Sequence, residues 1–151
     1  MKVRDICVRA VTTVTAVASV VEAARIMRRD HVGSLVVTDA DNGRPTGVLT
    51  DRDLVVEVLA QDVPSESLTV GDIMSGNPVV VGEQTDVLDA LRILSEHGVR
   101  RAPVVDEAGK VAGIVSTDDL TTALSRALHD LARLFWRERD TEALYRSETG
   151  D

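Results

Sequence analysis

The chain contains the same unit twice. When residues 3–39 are laid on residues 70–106, VRDI meets VGDI, EAARIM meets DALRIL, and VGSLVVTD meets VRRAPVVD without a gap. A loop that is one residue longer in the first copy then brings GVLTDRDL onto GIVSTDDL. Internal repetition constrains the architecture more than any single residue, because both copies must adopt the same local structure. The sequence therefore predicts two equivalent units related by pseudo-twofold symmetry.

Each copy is predicted to run strand, helix, strand, strand, helix. In the first copy, Ser19 is placed to cap a helix whose apolar residues recur at helical spacing, with Glu22 three positions later. Residues 32–38 predict a buried strand, and a turn precedes a second short strand that ends at Thr50. A helix over about residues 51–60 completes the unit.

The second copy repeats this order. Asp86 is predicted to cap a helix that ends at His97, strands cover residues 101–105 and 112–116, and a helix starts near Thr117. A unit of this size buries little core alone. We therefore expect an α+β fold in which two β-α-β-β-α units pack sheet to sheet, followed by a C-terminal amphipathic helix. The expected divisions are residues 1–63 and 64–128 for the two repeats, and 129–151 for a helical extension and tail.

Composition restricts the partners and the compartment. The net charge of −8 repels phosphate backbones, so a nucleic-acid partner is not expected. The single cysteine, Cys7, excludes an intrachain disulfide and favours a reducing compartment. The uncharged stretch at residues 10–21 is similar to the core of a signal peptide but is too short to span a bilayer. Because that stretch is part of the duplicated unit, we expect a cytoplasmic protein without a membrane partner.

The most informative motif places a hydroxyl three residues before a carboxylate. Thr50 precedes Asp53 in the first copy, and Ser116 precedes Asp119 in the second, each where a strand gives way to a helix. A hydroxyl, a carboxylate and free N–H groups at a helix start could together hold a ribose and its phosphate. The alternative is a capping box, which uses the same residue types at the same spacing only to begin a helix.

These motifs resemble a tandem pair of CBS domains, often called a Bateman module, of the stand-alone bacterial type. The resemblance covers residues 3 to about 128 and implies a regulatory module that binds adenosine-containing ligands between its repeats. It implies that Asp53 and Asp119 bind ribose, with Thr50 and Ser116 helping to hold ribose or phosphate. Val32 and Val99 match apolar positions beside the adenine. The ligand could be AMP, ADP, ATP, a dinucleotide or S-adenosylmethionine, acting as a regulatory ligand rather than a required cofactor.

The two copies differ where the resemblance implies contact with phosphates. The second copy has Arg100 and Arg101 where the first has Gly33 and Ser34. Arginine can hold phosphate with two parallel hydrogen bonds, although two surface arginines could also merely solvate a strand edge. Thr85 resembles an adenine or ribose contact and is matched by an alanine in the first copy. We therefore expect the cleft of Asp119 to bind more tightly than that of Asp53, unless a cleft draws its acid and its arginines from different copies.

The C-terminal segment has no counterpart in the first copy. Its apolar residues share one helical face and comprise Leu120, Leu124, Ala127, Leu128, Leu131 and Phe135. Phe135, Trp136 and Tyr145 are the only aromatic residues of the chain, which suggests a packing or partner surface. The alternative is that this helix covers its own module. Since the other helices also carry excess apolar residues, a homodimer is expected, with an unidentified protein target as a further partner.

The sequence contains no recognisable catalytic or metal-binding constellation. His31, His97 and His129 are too scattered to suggest a metal triad, and Cys7 matches Met74 of the second copy as a small apolar residue. No phosphate-binding loop, zinc-protease or nucleophile-elbow motif is present. We therefore expect a sensor that is not an enzyme and has no enzyme or channel domain attached. The rivals are a structural module with empty clefts and an enzyme that uses a nucleotide as substrate.

Overall fold

The computed structural model describes residues 1–148, with side chains described through Arg137. The first repeat consists of β1 (Thr13–Val14), α1 (Val20–Asp30), β2 (Ser34–Thr38), β3 (Pro45–Thr50) and α2 (Asp51–Asp53). The second consists of β5 (Val81–Gly82), α4 (Val87–His97), β6 (Arg101–Val105), β7 (Val111–Ser116) and α5 (Thr117–Glu148). Between them lie α3 (Val70–Ile73) and β4 (Ser75–Gly76). The predicted order of elements is confirmed in both copies.

The strands form two sheets with the same arrangement. β1 lies parallel to β2, and β2 is antiparallel to β3; β5, β6 and β7 repeat this pattern. Leu35, Val36 and Val37 in β2 are all fully buried, although neighbouring strand residues point to opposite faces. Both faces of β2 are therefore covered, as expected for an α+β body in which the sheets of two repeats pack together.

The repeats exchange their leading segments. β4 precedes the second repeat but pairs with β3 of the first, through Gly47↔Gly76 and Val48↔Ser75. Reciprocally, Val8 forms an antiparallel bridge to Ile114 of β7, with both N–H···O distances at 2.9 Å. Each sheet is thus completed by a segment that belongs, by sequence, to the other repeat.

The exchange extends into the two hydrophobic cores. Val3 is fully buried in the core of the second repeat, and Val70 is fully buried in the core of the first. Their backbone N–H groups donate to the carbonyl oxygens of Thr85 and Ala18, which are themselves equivalent positions of the two copies. Burial and hydrogen bonding therefore hold each leading segment to the opposite repeat.

Two predicted local features differ in the structure. Only Asp51–Asp53 is α-helical after β3, and Leu54–Leu59 continues as a π-helix. This segment, LVVEVL, contains three valines, whose β-branched side chains crowd the preceding turn of an α-helix. Asp86 occupies the N-cap position of α4 but makes no capping bond, because its Oδ2 accepts from Lys2 Nζ at 2.9 Å.

The second repeat ends in a helix that continues past its own core. α5 runs from Thr117 to Glu148 without a break, about 48 Å at 1.5 Å per residue. Leu120 and Ala123 are buried in the second core, whereas Leu128 and Phe135 are 67% and 58% exposed. The alternative that the helix covers its own module does not apply to this outer part. Tyr145 lies outside the residues whose side chains are described. Among the described helices, none combines the length and apolar character needed to cross a bilayer.

Candidate functional site

The first hydroxyl–carboxylate pair forms a closed box at the junction of β3 and α2. The Thr50 hydroxyl oxygen accepts a hydrogen bond from the Asp53 backbone N–H at 3.2 Å. Asp53 Oδ2 accepts from the Thr50 backbone N–H at 2.7 Å and from its hydroxyl at 2.8 Å. These bonds satisfy donors that a helix start leaves without partners. The capping interpretation of the motif is therefore correct for its local structure.

The second pair repeats this geometry. Asp119 Oδ2 accepts from the Ser116 N–H at 2.8 Å and from its hydroxyl at 2.6 Å, and the Asp119 N–H donates back at 3.2 Å. A similar box joins Asp72 Oδ2 to Thr69, at 2.7 Å from its N–H and 2.9 Å from its hydroxyl. Because this third box lies at the start of α3 and not in either of the clefts described below, a box alone does not identify a binding site.

Each repeated acid keeps one oxygen outside its box. The carboxylates of Asp53 and Asp119 accept hydrogen bonds from described residues only through Oδ2, which leaves each Oδ1 without a donor among those residues. Both residues are half-buried. An ionised carboxylate oxygen of this kind can accept hydrogen bonds from the hydroxyl groups of a ligand. The box therefore fixes the side chain while leaving an acceptor available.

One cavity between the repeats, here called cleft A, has a volume of about 560 Å³. Its walls come from both copies and include Val48, Thr50 and Asp53 of the first repeat and Val99, Arg100 and Arg101 of the second. This volume is in the range of small-molecule sites, roughly 300–1,000 Å³. Cleft A therefore brings together an acid, a hydroxyl, apolar side chains and two arginines.

The smaller cavity, here called cleft B, is the pseudo-symmetric counterpart and has a volume of about 270 Å³. Its walls include Ser116, Asp118 and Asp119 of the second repeat and Val32, Gly33 and Ser34 of the first. Arg101 lines this cavity as well as cleft A. Cleft B therefore contains the second hydroxyl–carboxylate pair but has half the volume.

The structure corrects the expected pairing of the arginines. Arg100 lies in the cleft of Asp53 and not in that of Asp119, and Arg101 reaches both. The reason is the twofold relation: Arg101 Nη1 donates to Ser34 Oγ at 2.8 Å, so the strand starts of the two copies meet. The start of β6 therefore lines the same cleft as the end of β3, and the start of β2 lines the same cleft as the end of β7. The expectation that the Asp119 cleft binds more tightly loses its basis, because it assigned both arginines to that cleft.

Thr85 lies in the lining of neither cleft. Its carbonyl oxygen accepts from the Val3 N–H at 2.9 Å, and its hydroxyl lies beside Gly82. The structure therefore places this residue where the leading segment joins the second repeat. The contact of Thr85 with an adenine or ribose, which the resemblance implies, stays a prediction.

Sequence reasoning missed a third charge difference between the copies. Arg52 lines cleft A and its equivalent, Asp118, lines cleft B. The signal was present, since TDRD and STDD coincide in the repeat alignment with Arg52 opposite Asp118. Cleft A thus has three arginines against the two carboxylates of Asp51 and Asp53. Cleft B has two carboxylates and shares one arginine.

A metal centre is not supported by the described side chains. Among them, no group of three or more His, Cys, Asp or Glu residues lies close enough to hold a metal ion. Cys7 is half-buried against the second core, and burial raises the pKa of its thiol. Its equivalent, Met74, packs against the first core. Both sulfur-containing side chains therefore act in packing.

Comparison with known proteins identifies the same repeats. The CBS domain model matches residues 3–60 and again residues 70–126. The uncharacterized protein MK0525 of Methanopyrus kandleri is 34% identical over 120 residues, which are 80% of this chain and 61% of that protein. The chain thus spans less than two thirds of that relative's length.

Solved structures show the same architecture. The conserved CBS domain protein TA0289 of Thermoplasma acidophilum, described as of unknown function, matches with a TM-score of 0.73 and 35% identity, over 84% of this chain and 71% of that one. The CBS domain pair of MJ0100, solved with 5′-methylthioadenosine and S-adenosyl-L-methionine, matches with a TM-score of 0.72 and 27% identity. It covers 84% of this chain and 98% of that one. Two of these three matches are described as uncharacterized or of unknown function, and none of the three is named as an enzyme.

Proposed function

The chain belongs to the CBS domain family and carries that domain twice, and on this basis we propose that it is a regulatory module that binds an adenine nucleotide in cleft A. The observation that carries the proposal is the composition of this cleft. Asp53 of the first repeat presents an open carboxylate oxygen, and Arg100 and Arg101 of the second repeat line the same cavity. Such a cavity matches a ligand with a diol at one end and a phosphate at the other.

The parts of the ligand can be assigned to side chains by their chemistry. The diol of a ribose donates to Asp53 Oδ1, with Thr50 holding the carboxylate in place. The phosphate accepts from Arg100 and Arg101, whose planar guanidinium groups can each form two parallel bonds. The base packs against Val48 and Val99, the apolar part of the wall. The signal is then a change in the contact between the two repeats, because the cleft takes residues from both.

Calorimetric titration with AMP and adenosine tests the proposal. Replacement of Asp53 by alanine should weaken the binding of either ligand in cleft A ~10-fold or more, since a hydrogen bond to a charged group contributes roughly 1.5–3 kcal/mol. Asp72→Ala is the matched control: it removes the carboxylate of a similar box outside the clefts and should leave both affinities unchanged. Equal losses in the two variants would attribute the effect to the fold. No binding by the native protein would favour the structural module with empty clefts.

Arg100→Ala separates the phosphate from the nucleoside. Arg100 lines cleft A and does not line cleft B. The variant should weaken AMP by ~10-fold or more while adenosine binds as before, because only the phosphate loses a partner. Equal losses for the two ligands would assign this arginine to the fold. Stronger binding of S-adenosylmethionine than of every phosphate-bearing ligand would also contradict the assigned role.

We further propose that the protein is a homodimer that joins through its helices. Large apolar side chains remain exposed on the helical layer: Val55 and Leu59 after α2, Leu88 at the start of α4, and Leu128 in α5. A twofold dimer would cover the same surface on both subunits at once. Light scattering of the full chain tests this, and a monomer at micromolar concentration would refute it. Truncation after Ala127 tests separately whether the outer part of α5 adds to the contact.

A further inference from the structure

Arg101 lies where the two clefts meet. Its Nη1 donates a hydrogen bond to Ser34 Oγ at 2.8 Å, and the two residues are 67 positions apart in the sequence. That separation equals the offset of the repeat alignment, so Ser34 and Arg101 are equivalent positions of the two copies. Two equivalent residues in contact must lie beside the pseudo-twofold axis. A side chain at the axis is equally near to both clefts, and Arg101 does line both of them.

Cleft B lacks any other cation among its described lining residues. Its equivalents of the three arginines in cleft A are Gly33, Ser34 and Asp118. Two of these replacements remove a positive charge, and the third also adds a negative one. A phosphate in cleft B would depend on Arg101 alone and would lie near the carboxylates of Asp118 and Asp119, which repel it.

From this shared side chain we infer that one chain holds a single phosphate-bearing ligand, in cleft A, and that cleft B takes an adenosine-type ligand without a phosphate. The inference rests on the function proposed above. One guanidinium gives its paired donors to one phosphate at a time. When Arg101 turns to a phosphate in cleft A, cleft B has no cation left among those residues.

Cleft B nevertheless keeps the features that hold a nucleoside. Asp119 presents Oδ1 as an open acceptor, and its box with Ser116 fixes the carboxylate. Val32 and Ile114 supply apolar wall for a base. The cavity of about 270 Å³ is half the size of cleft A, which is consistent with a ligand that is smaller because it lacks phosphates. Its remaining charge favours a neutral or cationic group at the 5′ position.

Calorimetry on the full chain with AMP and adenosine as probes measures the number of sites directly. We expect one AMP per chain, and the AMP-saturated protein should still bind one adenosine. Two AMP molecules per chain with similar affinity would overturn the sharing. Failure of the AMP-saturated protein to bind adenosine would overturn the assignment of cleft B. Absence of binding by both probes would instead overturn the function proposed above, so the two failures are distinct.

A gain of function provides the second test. Asp118→Arg gives cleft B the residue that cleft A has at the equivalent position, Arg52. Asp118 is exposed, so the substitution does not disturb the core. We expect this variant to bind a second AMP per chain. The matched control, Asp118→Ala, removes the carboxylate without adding a cation and should still bind one. A second AMP site in the alanine variant, or none in the folded arginine variant, would refute the role of the missing cation.

Discussion

Replacement of Val3 by alanine tests the exchange of leading segments. Val3 is only the third residue of the chain, yet it is fully buried in the core of the second repeat. The substitution removes two carbon atoms from that core. At about 0.8 kcal/mol for each buried methylene, the loss of transfer free energy is about 1.6 kcal/mol, and the cavity that remains raises it to roughly 2 kcal/mol.

The equivalent substitution should cost the same in the other core. Val70 is also fully buried, and it occupies the position of Val3 in the repeat alignment. Val70→Ala should therefore lower the free energy of unfolding by about the same 2 kcal/mol. Val17→Ala is the control, because this side chain is 84% exposed and its truncation should change stability by less than about 0.5 kcal/mol.

Urea unfolding followed by circular dichroism measures all three variants on one scale. Amide exchange adds a local readout, since the Ile114 N–H bonds to the carbonyl of Val8 and should lose protection first in Val3→Ala. If Val3→Ala is no more destabilising than Val17→Ala, the leading segment does not dock on the second repeat in solution. The exchange would then be refuted even if Val70→Ala behaves as expected.

Three further perturbations have defined outcomes. Gly47→Ala and Gly113→Ala should each destabilise the fold in urea unfolding, because an added Cβ would crowd backbone that cannot easily move. It would lie 2.9 Å from the Ser75 carbonyl oxygen in one copy, and 2.9 Å from Cys7 Sγ and 3.1 Å from the Val8 carbonyl oxygen in the other; unchanged midpoints would refute this. Hydrogen bonds from Thr69 lower the pKa of Asp72 below its ordinary value of 3.8. The ionised carboxylate therefore stabilises the folded state at pH values above 3.8, and this contribution is lost as the pH falls through the lower pKa of the folded state. In Asp72→Asn the free energy of unfolding should therefore decrease less steeply as the pH is lowered below about 4. An unchanged decrease would count against the hydrogen bonds between Thr69 and Asp72. Burial raises the pKa of the Cys7 thiol, so at pH 8 it should react with a disulfide reagent more slowly in the native protein than in urea; equal rates would contradict its packing.

Most of the architecture could be predicted because it depends on local pattern. The strand over residues 101–105 and the helix from Thr117 have the predicted bounds, and Ser19 caps α1 by accepting from the Glu22 N–H at 3.0 Å. Duplication strengthened each of these predictions, since both copies had to satisfy the same pattern. The C-terminal helix was also anticipated from the apolar face that begins at Leu120, although not its unbroken length.

The composition of each cleft could not be predicted in the same way. The alignment of the copies shows that Arg100 is equivalent to Gly33, but it does not show which of the two faces Asp53. That depends on the position of the twofold axis, which is set by the packing of the sheets and not by any local signal. The exchange of leading segments could not be predicted for the same reason, because Val8 and Ile114 are remote in sequence and come into contact only in the folded protein.

The exchanged segments also impose an order on folding during synthesis. The sheet of the first repeat is complete once β4 has been made, soon after the first half of the chain. The sheet of the second repeat needs both Val8 and Ile114, and Ile114 is synthesised more than a hundred residues after Val8. At about 5–20 residues per second, the amino-terminal segment waits roughly 5–20 s for its partner strand. Throughout that interval its apolar residues, including Val3, are available to any other unpaired strand edge in the vicinity.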